Sequence, residues 1–218
     1  MLDLLKQNLN STITDADLVS TPLLLCPEIS LYLISADYPK GKLPHEEMLA
    51  IIQRPAYWAF CWASGQVLAA HLMSNPQICR GKTVLDFGAG SGVIAIAAKL
   101  SGAFSAIACD LDEHALNACT VNGKLNGVEL GMLKNLDSYK KKVDLLIAAD
   151  VLYDRDNILW LERLGSYANE VFIADSRIRD EKVFEGFQKI QTIRATTIPD
   201  LDEMRECGEV TIYHKKYR

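Results

Sequence analysis

From Lys82 onward the chain alternates short β-rich apolar runs with longer segments whose apolar positions recur at helical spacing. That alternation predicts an α/β domain: a doubly wound, mostly parallel sheet of seven strands covered by helices on both faces. The runs 83–87, 105–109 and 128–133 read as the first three strands, the last of them weak. Residues 143–149 and 171–174 are almost continuously apolar, which suits central strands buried on two faces. Helices are predicted over 93–100, closed by Gly102, and from Asp112 to Asn126-Gly127, with two more over 157–167 and 181–190. The final β-rich runs, 192–198 and 210–214, have no crossover helix between them and so predict a C-terminal antiparallel hairpin. Its loop is acidic, with Asp200, Asp202 and Glu203.

Ahead of the sheet the pattern is less regular. Residues 1–55 hold apolar stretches at 23–26 and 31–34 interrupted by Pro22, Pro27, Pro39 and Pro44, and read as an N-terminal extension or lid. The main domain is expected over 56–218. It opens with an aromatic cluster, Tyr57, Trp58, Phe60 and Trp62, which leads into a helix over 66–73.

Composition narrows the functions available. A chain of 218 residues that is 49% hydrophobic can bury one sizeable core. A formal charge of -5 argues against a protein that grips nucleic acid through its phosphates, which takes a basic face. No apolar run approaches the length needed to span a bilayer, so no membrane partner is expected. The six cysteines form no Cys-x-x-Cys pair and the first residues carry no basic-then-apolar segment, so free thiols in a reducing cytoplasm are expected. The four histidines are scattered without metal-ligand spacing, and no metal is expected.

The chemistry concentrates at the end of the first sheet strand, in Asp86-Phe87-Gly88-Ala89-Gly90-Ser91-Gly92. Glycines at a strand-to-helix turn let the backbone approach a ligand where a Cβ would collide. Dinucleotide sites favour Gly-x-Gly-x-x-Gly; here the third glycine comes one position early, which disfavours pyrophosphate. About 20 residues on, at the end of the second strand, Asp110 can accept both hydroxyls of a ribose. Asp112 reads as a helix N-cap.

These segments resemble the first motif and the ribose-binding acid of the seven-strand, Rossmann-like methyltransferases. With Trp58 to Gln66 upstream and Asp150-Val151-Leu152-Tyr153 downstream, the likeness narrows to the lysine methyltransferases that include the enzyme acting on electron-transfer flavoprotein beta subunit. The resemblance implies S-adenosyl-L-methionine as cofactor, with Trp62 at its border and Asp86, Gly88, Ala89, Gly90 and Gly92 around its methionine end. It implies Asp110 and Leu111 at the ribose, Asn135 and Leu136 beside the adenine, and Asp150 and Tyr153 at the methyl-transfer centre. Trp62-Ala63 stands where better-known members have Trp-Pro, and Leu152 where they have Phe, which bears on the acceptor and not on the cofactor.

Methyl transfer from a sulfonium needs no acid for its leaving group, so alignment dominates. A lysine acceptor must lose a proton, and Asp150 can orient the amine and stabilise developing charge. The expected activity is therefore protein-lysine N-methylation, with a ribosomal-protein or small-molecule N-methyltransferase as the alternative. A cofactor-binding regulator without chemistry would lack Asp150 and Tyr153, and a nicotinamide oxidoreductase would need the other glycine spacing.

Overall fold

A computed structural model describes residues 1–38, 45–201 and 208–217. The chain runs α1 (Leu2–Asn10), β1 (Leu18–Pro22), β2 (Ser30–Ile34), α2 (His45–Gln53), α3 (Ala63–Ser74), β3 (Thr83–Phe87), α4 (Val93–Leu100), β4 (Ser105–Cys109), α5 (Glu113–Leu125), β5 (Gly131–Leu133), β6 (Val143–Ala149), α6 (Trp160–Tyr167), β7 (Ala168–Asp175), β8 (Gln188–Arg194) and β9 (Glu209–Lys216). Seven strands form one sheet in the order β5-β4-β3-β6-β7-β9-β8. The first five pair in parallel, and β9 pairs antiparallel with both β7 and β8. The doubly wound sheet with its terminal hairpin is as the sequence pattern predicts.

The period of two along the strands sorts the core into two layers. Val84, Leu145, Ile147 and Phe172 face one side, packed with α3 and α4. Their neighbours Leu85, Leu146, Ala148 and Ile173 face the other, packed with Leu161 and Leu164 of α6. A strand covered on both faces has no polar side to present, which is why β6 is buried at most of its positions.

The β1–β2 hairpin is not set apart from this core. Leu23, Ile29, Leu31 and Leu33 belong to the same cluster as α3 and α4. Asn122 and Asn126 on α5 accept the N–H groups of Tyr32 and Ser30, tying the hairpin to the sheet's helical cover.

Two local expectations are corrected. The helix expected over 181–190 is a single 3-10 turn, Glu181–Phe184, followed by Gly186 at φ +80° and then β8. The left-handed glycine ends the turn, and the next seven residues alternate partly exposed positions as an edge strand does. The strand expected over 192–198 therefore starts four residues earlier and ends at Arg194; Ile198 instead bridges Cys61, with hydrogen bonds of 2.8 and 2.9 Å between their backbones. The weak third strand survives only as Gly131–Leu133. Asp202 and Glu203 of the acidic loop lie outside the described residues. Among the described residues no helix is long and apolar enough to cross a membrane.

Candidate active site

β3 and β4 end side by side, Phe87 opposite Cys109, and the glycine turn leaves β3 toward α4 at that edge. Gly88, Gly90 and Gly92 all have positive φ. Gly88 is also crowded: a Cβ there would stand 2.5 Å from Val151 Cγ1. A Cβ on Gly90 would meet nothing within 4 Å, and Gly90 lines an open cavity. The turn's N–H groups are largely spent. Those of Gly88 and Ala89 donate to Cys109 O, that of Gly92 to Ala89 O, and that of Gly90 to Asp110 Oδ2 at 2.9 Å. A pyrophosphate would find these donors taken and a carboxylate in its place.

Asp110 itself is well placed for a diol. Its Oδ1 accepts from Asp112 N–H at 3.0 Å and its Oδ2 from Gly90, so each oxygen keeps a lone pair. Burial raises its pKa, partly offset by those two backbone donors. Asp112 caps α5 by accepting from His114 N–H. The donor set thus fits a nucleoside with an uncharged linkage better than a dinucleotide.

The cavity has a volume of about 1020 Å³ and runs from this edge across the end of β6. At one end lie Leu111, Asn135, Leu136 and the Trp160 ring, which rests 5.2 Å from Phe87. Asn135 Oδ1 accepts from Asp137 N–H and shapes the turn that presents Leu136. The Glu113–Lys134 ion pair stands at the rim. At the other end Tyr57, Trp62 and Tyr153 form an aromatic wall, Tyr57 lying 5.7 Å from Trp62 and 5.4 Å from Tyr153. Trp62 Nε1 donates to Tyr57 O, and the Arg177 guanidinium lies 5.8 Å over the Trp62 ring.

Asp150, the residue after β6, adopts φ +51°, a left-handed conformation that aspartate tolerates better than most residues. Its Oδ1 accepts from the hydroxyls of Ser64 (2.6 Å) and Ser176 (3.1 Å), and its Oδ2 from Ser64 N–H (2.9 Å). The carboxylate therefore caps the first turn of α3, where Trp62 supplies no side-chain cap. Of roughly four acceptor positions on a carboxylate, one remains, on Oδ2. Burial pushes the pKa of Asp150 up to about 6 against the pull of the Ser64 donors.

Residues 72–159 match the family described as ribosomal protein L11 methyltransferase (PrmA). Among solved structures, ribosomal protein L11 methylase from Lactobacillus delbrueckii subsp. bulgaricus superposes with a TM-score of 0.54 at 24% identity, covering 71% of this chain and 79% of that one. Magnesium protoporphyrin IX methyltransferase from Synechocystis, solved with bound SAM, gives a TM-score of 0.54 at 16% identity, covering 81% of this chain and 86% of that one. The fold is that of the class I methyltransferases. Within that fold the chain resembles the electron transfer flavoprotein beta subunit lysine methyltransferases. The Rattus norvegicus protein is 40% identical over 159 residues, 69% of this chain and 61% of that one. The Caenorhabditis elegans homolog is 29% identical over 202 residues, 88% of this chain and 78% of that one. The chain thus spans about three-fifths of the length of the mammalian relative.

On the class I methyltransferase fold, the residues singled out in the sequence fall into two groups. Trp62, Gly88, Gly90, Asp110, Leu111, Asn135, Leu136, Asp150 and Tyr153 all line the cavity. Asp86, Ala89 and Gly92 do not face it. Asp86 is 2% exposed and its Oδ2 accepts from Ala95 N–H, so it secures the start of α4 beneath the turn. Gly92 packs against Cys119, 3.0 Å from where its Cβ would be, and holds α4 against α5. Of the aromatic cluster, Trp58 and Phe60 are buried among α1 and α5 residues, Trp58 also reaching the cavity wall, and Tyr57 joins Trp62 at the cavity. Tyr57, Ser64, Asp175 and Ser176 were not legible as site residues, because only the fold brings them to the ends of β6 and β7.

Proposed function

We propose that the chain is an S-adenosyl-L-methionine-dependent protein-lysine N-methyltransferase, with electron-transfer flavoprotein beta subunit as the first acceptor to test. The observation that carries this reading is Asp150: a carboxylate locked by Ser64 and Ser176, with its one remaining acceptor position beside a cavity that begins at the glycine turn. The names of the mammalian and nematode relatives support the acceptor class.

In this reading Asp110 holds the ribose hydroxyls, Leu111 and Leu136 flank the base with Asn135, and Gly88 and Gly90 leave room for the amino-acid end. When bound, the cofactor supplies an electrophilic methyl group on a positively charged sulfur. Tyr57, Trp62 and Tyr153 attract cations to their ring faces and keep bulk water from the amine. Asp150 orients the acceptor nitrogen and accepts its proton at Oδ2. Asp86 and Gly92 act from beneath, by fixing the turn. Gln53, Arg54 and Pro55 at the end of α2 line the mouth, which supports reading residues 1–55 as a wall for the acceptor. We also propose a reducing, cytoplasmic setting and an acceptor that is neither nucleic acid nor membrane, in keeping with the unpaired buried thiols and the net charge of -5.

The test incubates the chain and methyl-labelled cofactor with the recombinant flavoprotein subunit, and then with the same subunit after its surface lysines are changed to arginine. Arginine keeps the docking charge but has no nitrogen that loses its proton near neutrality. Label on the first and not the second is expected; label that survives the change overturns the lysine assignment. The match of residues 72–159 to the ribosomal protein L11 family favours one second reading, methylation of a ribosomal protein. Recombinant L11 in a parallel reaction, labelled while the flavoprotein subunit stays blank, would establish it instead.

A further inference from the structure

β6 and β7 are parallel neighbours with Ala149 opposite Ala174, so both strands hand the chain to an aspartate at the same level, Asp150 and Asp175. Asp150 N–H donates to Ala174 O at 3.1 Å, and the Ser176 hydroxyl donates to Asp150 Oδ1 at 3.1 Å. Asp175 is 4% exposed. Its Oδ1 accepts the N–H groups of Arg177 (2.8 Å) and Ile178 (2.6 Å), which folds the turn after β7. Its Oδ2 is buried without a hydrogen-bond partner. A turn of this kind needs one side-chain oxygen, which asparagine or serine would also supply. The second oxygen is desolvated and unused, an arrangement that costs free energy and has no purpose in the turn.

The neighbouring strand gives it one. We propose that Asp175 is a positioning residue that acts through Asp150: the two carboxyls at the ends of β6 and β7 are coupled, so that ionised Asp175 makes Asp150 the stronger proton acceptor for a substrate ammonium. This rests on the methyltransferase reading for its use, though not for its existence. Two carboxylates side by side in a dry site cannot both ionise without cost, so their protons come off in coupled steps. Both groups are raised from the ordinary aspartate value; burial is the main cause, and at Asp150 the charge of Asp175 adds to it. Among the described residues a small set of other groups faces the pair, and from β9 it includes Tyr213, whose phenol pKa burial raises, the charge of Asp175 adding to that. From the segment before α3 comes Cys61, whose thiol burial holds protonated, and α3 itself offers the uncharged Ser64. Beyond β7, Arg177 and Arg179 favour the charged form of Asp175 and so oppose the main effect. In the reaction an N–H bond of the acceptor ammonium breaks, its electron pair stays on nitrogen, and the proton passes to Asp150 Oδ2.

The coupling can be read without any acceptor, by carboxyl-carbon NMR titration of the full chain labelled in aspartate. In Asp175→Asn the Asp150 midpoint is expected to fall. In Asp150→Asn the Asp175 curve is expected to become that of a single group with a midpoint no higher than in the wild type, the fall being the smaller of the two when Asp175 ionises first. If either variant folds poorly, the other still reports the coupling. An Asp150 midpoint that stays at its wild-type value in Asp175→Asn, or an Asp175 midpoint that rises in Asp150→Asn, overturns the proposal. With an acceptor in hand, the acid limb of the kcat profile should move to lower pH in Asp175→Asn while KM holds. A limb that does not move also overturns it. Absence of turnover together with a coupled titration would overturn the methyltransferase reading alone.

Discussion

The two ends of the cavity are built in opposite ways. The end at β3 and β4 centres on one stretch, residues 88–112, in which the glycine turn, Asp110 and Asp112 satisfy one another through short-range backbone bonds, with Asn135 and Leu136 added from beyond β5. The end at β6 and β7 draws on residues far apart in the chain, Tyr57 and Trp62, Ser64, Asp150 and Tyr153, and Asp175 and Ser176, joined by side chains across 86 positions from Ser64 to Asp150 and farther still from Tyr57 to Tyr153. The first is a local device that sequence spacing can announce. The second exists only once the sheet has assembled, so its residues serve binding and architecture together.

That contrast can be broken by substitution. The largest effect is expected for Asp150→Ala, which removes both the acceptor position and the cap on α3. Turnover should fall by roughly 100-fold or more, while cofactor affinity measured by calorimetry changes much less; near-normal turnover on the true acceptor would remove Asp150 from the chemistry. Asp110→Ala should show the reverse split. Loss of a charge-assisted acceptor worth about 1.5 to 3 kcal/mol weakens cofactor binding at least about tenfold, and calorimetric affinity that stays unchanged would take Asp110 out of the site.

Gly88→Ala probes the seam between the two ends, because its Cβ would stand 2.5 Å from Val151 at a φ of +74°. Crowding and the left-handed backbone together should cost about 1 to 3 kcal/mol, read as a lowered midpoint in chemical denaturation. An unshifted midpoint would mean that the Val151 segment gives way freely. The smallest effect concerns Asp86, whose pKa burial pushes up from 3.8 to about 7. A carboxyl raised in the folded state contributes stability that is complete below its unfolded value and is lost as pH rises through the folded one. Asp86→Asn should therefore flatten the decline in Tm between pH 4 and pH 7; a decline as steep as in the wild type would assign that pH dependence to other groups.

The same contrast accounts for what the sequence discloses. Strands β3, β4 and β6 were legible because an apolar run between turn residues has few alternatives. Asp110 was legible because its distance from the glycine turn is set by one crossover helix. Asp86 was assigned to the cofactor by resemblance, but its side chain points beneath the turn, and alternation along a five-residue strand does not tell which face a ligand will occupy. The segment 181–190 misled because Phe184 and Phe187 fit a helical spacing, while Gly186 between them adopts a conformation that only the fold reveals. Tyr57 cannot be told from Trp58 and Phe60 in an aromatic cluster; the short turn at Tyr57–Ala59 buries Trp58 and leaves Tyr57 exposed at the cavity.

The strand order carries a consequence for synthesis on the ribosome. β9 lies between β7 and β8, although it is made after both of them. Until residues 209–216 have left the exit tunnel, β7 has no partner on its outer side and β8 has none at all. An open edge on a strand as apolar as β7 is a template for pairing with another nascent chain. Nascent chains in which residues 209–216 have not emerged should therefore be the aggregation-prone and protease-sensitive species in a translation time course, and those in which they have emerged should not.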